Sequence, residues 1–307
     1  MRRWIKYIIL ILLLTGGVVL CAVRWQAWFG MPPEPKWTGD TIHYVMPSPS
    51  TDLLSTNPLT VLVLGDIHNR LTRADYDTLA ARVQEADVVA QVGDWLDRGQ
   101  HYYSQLLLRE WTNSKLYGLP VLTCPGNHDY SKGLVRTLSP IWNETFSHPD
   151  NGPAVPGVSY YVDFPQARFI MIDSNPMTRT VNLTRMLTWL REAMYTAGDR
   201  YIIVMMHHPI LSPAKGRFNP LLYSTFRHAL GAADLVISGH DHSYMRRMPF
   251  VVLNTAGKPK PQHLGFSADV TDTIPVYGVL TADSILSFKV YHLEDGQLID
   301  SLYVSHD

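Results

Sequence analysis

Eight side chains in five short runs carry the chemistry of a metal centre: Asp66, His68, Asp94, Asn127, His128, His207, His240 and His242. Imidazoles and carboxylates without a thiolate suit Zn, Fe, Mn, Co or Ni, and the oxygen donors also tolerate harder Mn or Mg. Two cysteines against 13 histidines exclude a thiolate cluster or a disulfide framework, so ligation falls to His, Asp, Glu or Asn. Eight donors exceed what one tetrahedral ion takes. Two ions about 3.5–4 Å apart, sharing a carboxylate, would use them all, and such a pair clamps a phosphoryl group and supplies hydroxide at neutral pH. A lone Asp-x-His or Gly-Asp arises by chance in many chains; the weight lies in five such runs in order.

The elements that must position these runs alternate strand and helix. Apolar strands are predicted at Leu59–Leu64, Val88–Val92, Val121–Cys124, Tyr201–Met206 and Leu235–Ser238, and each leads directly into one of the five runs. In open α/β sheets the ligand site lies beyond the carboxyl ends of the strands, so five sequence-distant loops converge on one cleft. Helices are predicted after Thr72, over Tyr102–Tyr117 closed by Gly118, along the stripe Leu183, Met186, Leu187, Leu190 and Met194, and near Pro220–Leu230. Tyr160–Phe164 with Arg168–Asp173 read as a hairpin, as do Leu286–His292 and Leu298–Val304 around Glu294-Asp295-Gly296.

Composition sets the outer bounds. Hydrophobic residues at 46% and charged residues at 17% exclude a disordered chain. A net charge of −1 offers no basic field for nucleic acid. Residues 1–30 form a separate object: Arg2, Arg3 and Lys6 precede an uncharged run, Tyr7–Val23, with Arg24, Trp25, Trp28 and Phe29 behind it. This predicts a transmembrane signal anchor with the N-terminus inside and the body outside the cytoplasm, periplasmic or cell-surface. A cleaved signal peptide, which would leave the body secreted, is the alternative, although the stretch before Arg24 lacks a small-residue cleavage site. Residues 31–58, rich in Pro, Ser and Thr, read as a linker with a short strand at Thr41–Met46, and residues 59–307 as the catalytic domain. Cys21 falls in the apolar run and Cys124 in a strand, so no bond between them is expected.

The runs Gly65-Asp66-Ile67-His68, Gly93-Asp94-Trp95-Leu96-Asp97-Arg98-Gly99, Gly126-Asn127-His128-Asp129, His207-His208-Pro209 and Gly239-His240-Asp241-His242 resemble the signature of the calcineurin-like metallophosphoesterases. The resemblance covers Leu59 to about Arg247 and implies an α/β fold, a four-layer α/β/β/α sandwich with a two-metal site at the strand ends. By that resemblance Asp66, His68 and His242 hold the first metal, Asn127, His207 and His240 the second, and Asp94 bridges. His128 corresponds to the family histidine that protonates the leaving group or holds a phosphoryl oxygen. Asp97 would orient it and Arg98 would grip phosphate, with a surface ion pair as the plainer reading of these two; His208 reads as support. Purple acid phosphatases, similar in the second half, carry a tyrosine where Asp97 stands and lack His68, so that branch does not fit, and the Gly-His-x-His run argues against the protein-phosphatase branch.

The resemblance therefore implies a metal-dependent phosphoester hydrolase, with two divalent or trivalent ions and a phosphorylated small-molecule or lipid substrate. A phosphodiesterase or pyrophosphatase acting on nucleotides or lipid head groups is the alternative, and a non-catalytic scaffold with this fold is the rival of a different class. By loop position alone, His101, Tyr130, Asn175, Lys215 and Tyr244 are candidate substrate contacts. Asn143-Glu144-Thr145 and Asn182-Leu183-Thr184 match glycosylation sequons.

Overall fold

The computed structural model describes residues 14–18, 34–49, 55–131, 137–139, 141–155, 157–175, 183–214 and 216–306. From residue 59 onward, thirteen strands and five helices follow one another as β1 (Leu59–Leu64), α1 (Arg73–Arg82), β2 (Val88–Gln91), α2 (His101–Thr112), β3 (Val121–Thr123), α3 (Ile141–Thr145), β4 (Tyr160–Asp163), β5 (Ala167–Ile172), α4 (Leu183–Tyr195), β6 (Tyr201–Met206), α5 (Pro220–Leu230), β7 (Leu235–Ser238), β8 (Tyr244–Arg247), β9 (Phe250–Val252), β10 (Val270–Asp272), β11 (Val276–Ala282), β12 (Leu286–His292) and β13 (Leu298–Val304) among the described residues. They build two sheets, ordered β13-β12-β11-β1-β2-β3 and β10-β8-β9-β7-β6-β5-β4.

Period-two alternation explains the layering. In β1, Leu59, Val61 and Val63 face the other sheet, while Leu62 and Leu64 turn to the helical side. In β6, Tyr201, Ile203 and Met205 face inward, and Val204 and Met206 pack with α4 and α5. A strand apolar on both faces cannot meet water on either. The outer faces are therefore covered, by α1 and α2 on one sheet and by α4 and α5 on the other. Pairing is parallel for β1–β2–β3 and for β5–β6–β7, which aligns the carboxyl ends that carry the five runs. The predicted strands β1, β6, β7, β12 and β13 and the helix Pro220–Leu230 match residue for residue. Helix α2 stops at Thr112, short of the expected Tyr117. Thr72 caps α1 in a reciprocal box with Asp75.

The N-terminal stretches need two statements. Most of the expected transmembrane segment lies outside the described residues; residues 14–18 are helical, and among the described residues no helix is long and apolar enough to cross a membrane. Of the expected linker, residues 34–49 are a strap laid on the catalytic body. Ile42 and Tyr44 are half-buried and Met46 is buried, while Thr41, His43 and Val45 face outward, the alternation of an extended chain. No strand forms at Thr41–Met46 beyond a single bridge from Met46 to Phe146. The Gln105 side chain takes the place of a neighbouring strand: its Oε1 accepts from the Ile42 amide (2.6 Å) and its Nε2 donates to the Ile42 carbonyl (3.2 Å). Glu34 accepts from the Tyr102 amide (2.7 Å), capping the first turn of α2.

Candidate metal centre

The five runs meet at one place between the two sheets. Asp94 Oδ2 is the hub, 3.6 Å from His68 Nε2 and 3.3 Å from His207 Nε2. On one side, Asp66 Oδ1 lies 3.5 Å from His242 Nε2 and 3.9 Å from His68 Nε2, and those two nitrogens are 3.2 Å apart. On the other, His207 Nε2 is 3.2 Å from Asn127 Oδ1 and 3.2 Å from His240 Nδ1. Ligand bonds of about 2.0–2.2 Å make the edges of a coordination tetrahedron about 3.4 Å. The spacings of the first set, and in the second those from His207 Nε2 to Asp94, Asn127 and His240, lie near that length, so they are compatible with two ions that share Asp94.

Hydrogen bonds behind the ligands fix which nitrogen faces inward. A carbonyl can only accept, so His207 Nδ1–H donates to Val92 (2.8 Å) and His242 Nδ1–H to Lys258 (2.9 Å), leaving each Nε2 lone pair aimed at the centre. Asp66 is held by the amide of His240 (3.0 Å to each oxygen). Burial opposes charge at every ligand. It pushes Asp66 up to about 7, helped by the Asp94 charge, and drops His68 to about 3. His240 is lowered well below the usual range by burial and by His208. Burial acts against His207 as well, yet Asp94 and Asp66 lift it to about 9; burial likewise raises Asp94, and the surrounding histidines outweigh it and hold it well below the carboxylate range. Two buried carboxylates this close together make a spot where positive charge would be stabilising.

Backbone shape is part of the site. His68, Asp94, His240 and His242 all adopt left-handed φ values of 51°, 57°, 69° and 54°. Non-glycine residues rarely occupy this region, and each instance costs on the order of 1–3 kcal/mol unless surroundings impose it. Histidine, Asp and Asn are the types that tolerate it best. Gly126 must be glycine for a different reason: an added Cβ would collide with Asp94 Oδ1 and with the Asp94 amide.

His128 lies next to the ligands, its ring edge-on to that of His68 at 4.6 Å between centroids. Its amide donates to Asp94 Oδ1 (2.8 Å), and its Nδ1–H donates to the backbone carbonyl of Asp97 (2.6 Å). The Asp97 orienting contact thus comes from the main chain rather than the carboxylate. That carboxylate still lies within 4.8 Å of ring nitrogens of His68 and His128. Arg98 pairs with Asp97 at 3.8 Å, both half-exposed, and its guanidinium stands 5.8 Å from the Tyr103 ring centre.

Other expected contacts fall elsewhere. Tyr244 is buried and donates to Asp300 (2.6 Å), and Tyr130 donates to Asp173 (2.5 Å). Asn175 donates to the Pro125 carbonyl, behind the Asn127 loop, and His101 lines the groove under the strap. Lys215 and Asn182 lie outside the described residues, whereas Asn143 sits on the short helix α3.

Several residues carry supporting contacts that the sequence patterns do not assign. Asp129 is fully buried and accepts from the amides of Asp94 (3.0 Å) and Gly126 (2.8 Å), locking two ligand loops together. Gln91, at the end of β2, donates to the carbonyls of Gly65 and Gly93 and accepts from Thr123, tying β1, β2 and β3 at the site. A glutamine closing the apolar run Val88–Ala90 is the signal that could have found it. His208, expected as support, lines the cleft, held through its Nδ1 by Ser174 (2.8 Å) and with its ring 4.5 Å from that of His240. Arg217 donates to the His240 carbonyl (2.7 Å) and joins Asn127, His208 and Asp241 in the wall of a cleft of about 330 Å³. On the other side, the amides of Ala256 (2.8 Å) and Gly257 (2.9 Å) donate to the Asp66 carbonyl, so this loop covers Asp66 and His242.

Three comparisons bear on this geometry. The family model for calcineurin-like phosphoesterase matches residues 59–244, more than half of the chain. The glycerophosphodiester phosphodiesterase GpdQ of Enterobacter lignolyticus (strain SCF1) is 26% identical over 168 residues, which cover 52% of this chain and 57% of that protein. Among solved structures, purple acid phosphatase PPD1 from yellow lupin seeds superposes with a TM-score of 0.63 at 16% identity, over 83% of this chain and 55% of that one. GAP50, the anchor in the inner membrane complex of Plasmodium, gives 0.59 at 15% identity, over 81% and 89%. The chain spans just over half the length of GpdQ and of the lupin enzyme, and the two structural likenesses speak to fold. With the matched segment opening at β1 and closing just past His242, the chain belongs to the calcineurin-like phosphoesterase family.

Proposed function

We propose that this chain hydrolyses phosphoesters with two metal ions held by Asp66, His68 and His242 on one side and by Asn127, His207 and His240 on the other, with Asp94 shared. The observation that carries the reading is Asp94 Oδ2, which sits between His68 and His207 within bridging distance of both sets. When bound, such a pair neutralises phosphoryl charge, supplies hydroxide and stabilises an in-line displacement.

The chain's own residues do the rest. Asp129 and Gln91 hold the ligand loops in register, and the left-handed turns aim the ligands inward. His128, fixed through Nδ1 by the Asp97 carbonyl, presents Nε2 as the proton donor to the departing oxygen. Among the described residues, Arg217, in the cleft wall, Arg98, paired with Asp97, and Lys260, near Asp66 and Asp94, are cations available to phosphoryl oxygens. A diester substrate is the second reading, favoured by the similarity to a glycerophosphodiester phosphodiesterase. The complete ligand set argues against a scaffold role. An extracytoplasmic, membrane-held body is part of the proposal, and its support is the sequence of residues 1–30 alone.

The test is turnover of alkyl and nitrophenyl mono- and diesters by the metal-loaded full chain, wild type and His128→Asn. An alkoxide needs a proton as the P–O bond breaks, whereas nitrophenolate leaves without one. The variant should keep its metal, lose about 10²–10⁴-fold in kcat/KM on alkyl esters, and lose less on nitrophenyl esters. Equal losses at full metal content would make His128 an oxyanion holder instead. A loaded wild-type chain that turns over no phosphoester would overturn the reading.

A further inference from the structure

Next to the catalytic cleft the fold carries a small satellite core with partly buried apolar residues at its edge. Leu211, Met245 and Val252 are buried there, and partly buried residues including Tyr223 and Phe266 pack around them. Phe218 stands beside this floor with 46% of its surface exposed, tilted against Tyr223 at 5.4 Å between ring centres. Phe218, Tyr223, Phe266 and Leu211 line an apolar groove of about 360 Å³.

The groove continues from the cleft. Ser212 lines both, and two consecutive residues divide between them: Arg217 faces the cleft and Phe218 the groove. Arg217 is tied to the His240 carbonyl and to Asp241 (3.3 Å), so the partition between the two spaces is fixed to a ligand loop.

We propose that this groove holds an aliphatic chain of the phosphoester, with the phosphoryl group beside Arg217 at the metal ligands. The inference rests on the phosphoester reading above and names a substrate class for it: esters of long-chain rather than short, polar alcohols. A chain asks only for apolar surface. A nucleobase would ask for polar groups at its edges; of the polar side chains among the described lining residues, Ser212 is engaged, Arg247 lies over a ring and only His263 is exposed. The Ser212 hydroxyl donates to Asp241 (2.5 Å), and the Arg247 guanidinium lies over the Phe266 ring, 5.5 Å from its centre.

The experiment is calorimetric titration of alkylphosphonates, ethyl to octyl, into the detergent-free, metal-loaded full chain. Affinity should rise about twofold per methylene, as expected where each added group is half-buried. Phe218→Ser and Phe266→Ser should each shrink the octyl-to-ethyl affinity ratio several-fold; Phe218 is exposed enough that its replacement leaves the core intact. An affinity independent of chain length, or no binding across the series, overturns the inference. So does adenosine 5′-monophosphate binding as tightly as octylphosphonate with the same loss in the two variants, which would make the groove a base site. Phosphoester turnover, measured separately, distinguishes the two levels: chain-dependent binding without turnover would break the hydrolase reading and leave the groove standing.

Discussion

The two halves of the metal centre are built from the same kinds of side chain and differ in their access to water. Asp66, His68 and His242 are 0%, 4% and 9% exposed, beneath the loop that donates the Ala256 and Gly257 amides to Asp66. Asn127 and His240 are half-buried and open onto the cleft with His208 and Arg217. The closed half has two histidines and a carboxylate of its own, whereas the open half has two histidines and a neutral amide. An ion bound in the closed half would therefore meet more negative charge and less competing water. On the proposed function the difference teaches a division of labour: one half would hold its ion, and the other would present its ion to a substrate.

The largest expected effect comes from removing what the halves share. Asp94→Asn takes away the bridging charge, and with it about 10³-fold or more of kcat/KM, together with both ions on dialysis. Elemental analysis that finds both ions retained would show that the halves do not depend on Asp94. A smaller effect distinguishes the halves from each other. Asn127→Ala should weaken one ion about 10–100-fold and leave the second tightly held, whereas His242→Ala should spare the weaker ion and release the stronger. Chelator titration of the two variants reads this directly, and the opposite assignment of strong and weak sites would invert the comparison. The smallest effect tests whether the strap matters to either half. A chain beginning at Leu53 loses Met46 from the core, the Ile42 pairing on Gln105 and the Glu34 cap on α2. A loss of about 2–5 kcal/mol is expected, or roughly 5–15 °C in Tm, with metal content unchanged. An unchanged Tm would return residues 34–49 to the status of a tether.

Legibility in the sequence followed the same physical line as the closed and open halves. The ligands could be read because each lies within a few residues of the end of an apolar strand, and such strands announce themselves by composition. What supports the ligands could not, because it acts across the chain. Asp129 works through amides at Asp94 and Gly126, so its place in the Gly126-Asn127-His128-Asp129 run does not disclose its role, and Gln91 spans three strands and leaves no local pattern. The sequence points to the Asp97 carboxylate, but it is the Asp97 carbonyl that contacts His128 Nδ1, a role any residue type could fill with that backbone. Arg217 sits well beyond the His207 run and reaches the centre only through the path of its loop. The strap was hidden by its prolines and serines, which suggest loose chain; its partner is a side chain on a helix rather than a strand edge.

That strap alters the mechanics of attachment. Were residues 31–58 a free leash, their contour at about 3.5 Å per residue would let the catalytic body roam to roughly 100 Å from whatever holds residues 1–30. With residues 34–49 laid along α2, only the three positions 31–33 separate the strap from residues 1–30, a reach of about 10 Å at full extension. Were residues 1–30 held at a membrane, as proposed, the body would behave less like a tethered float than like a fitting bolted close to its mount. A load applied at the N-terminus would pull first on the Glu34 contact at the head of α2, and that helix begins directly after the Asp97-Arg98-Gly99 turn beside His128.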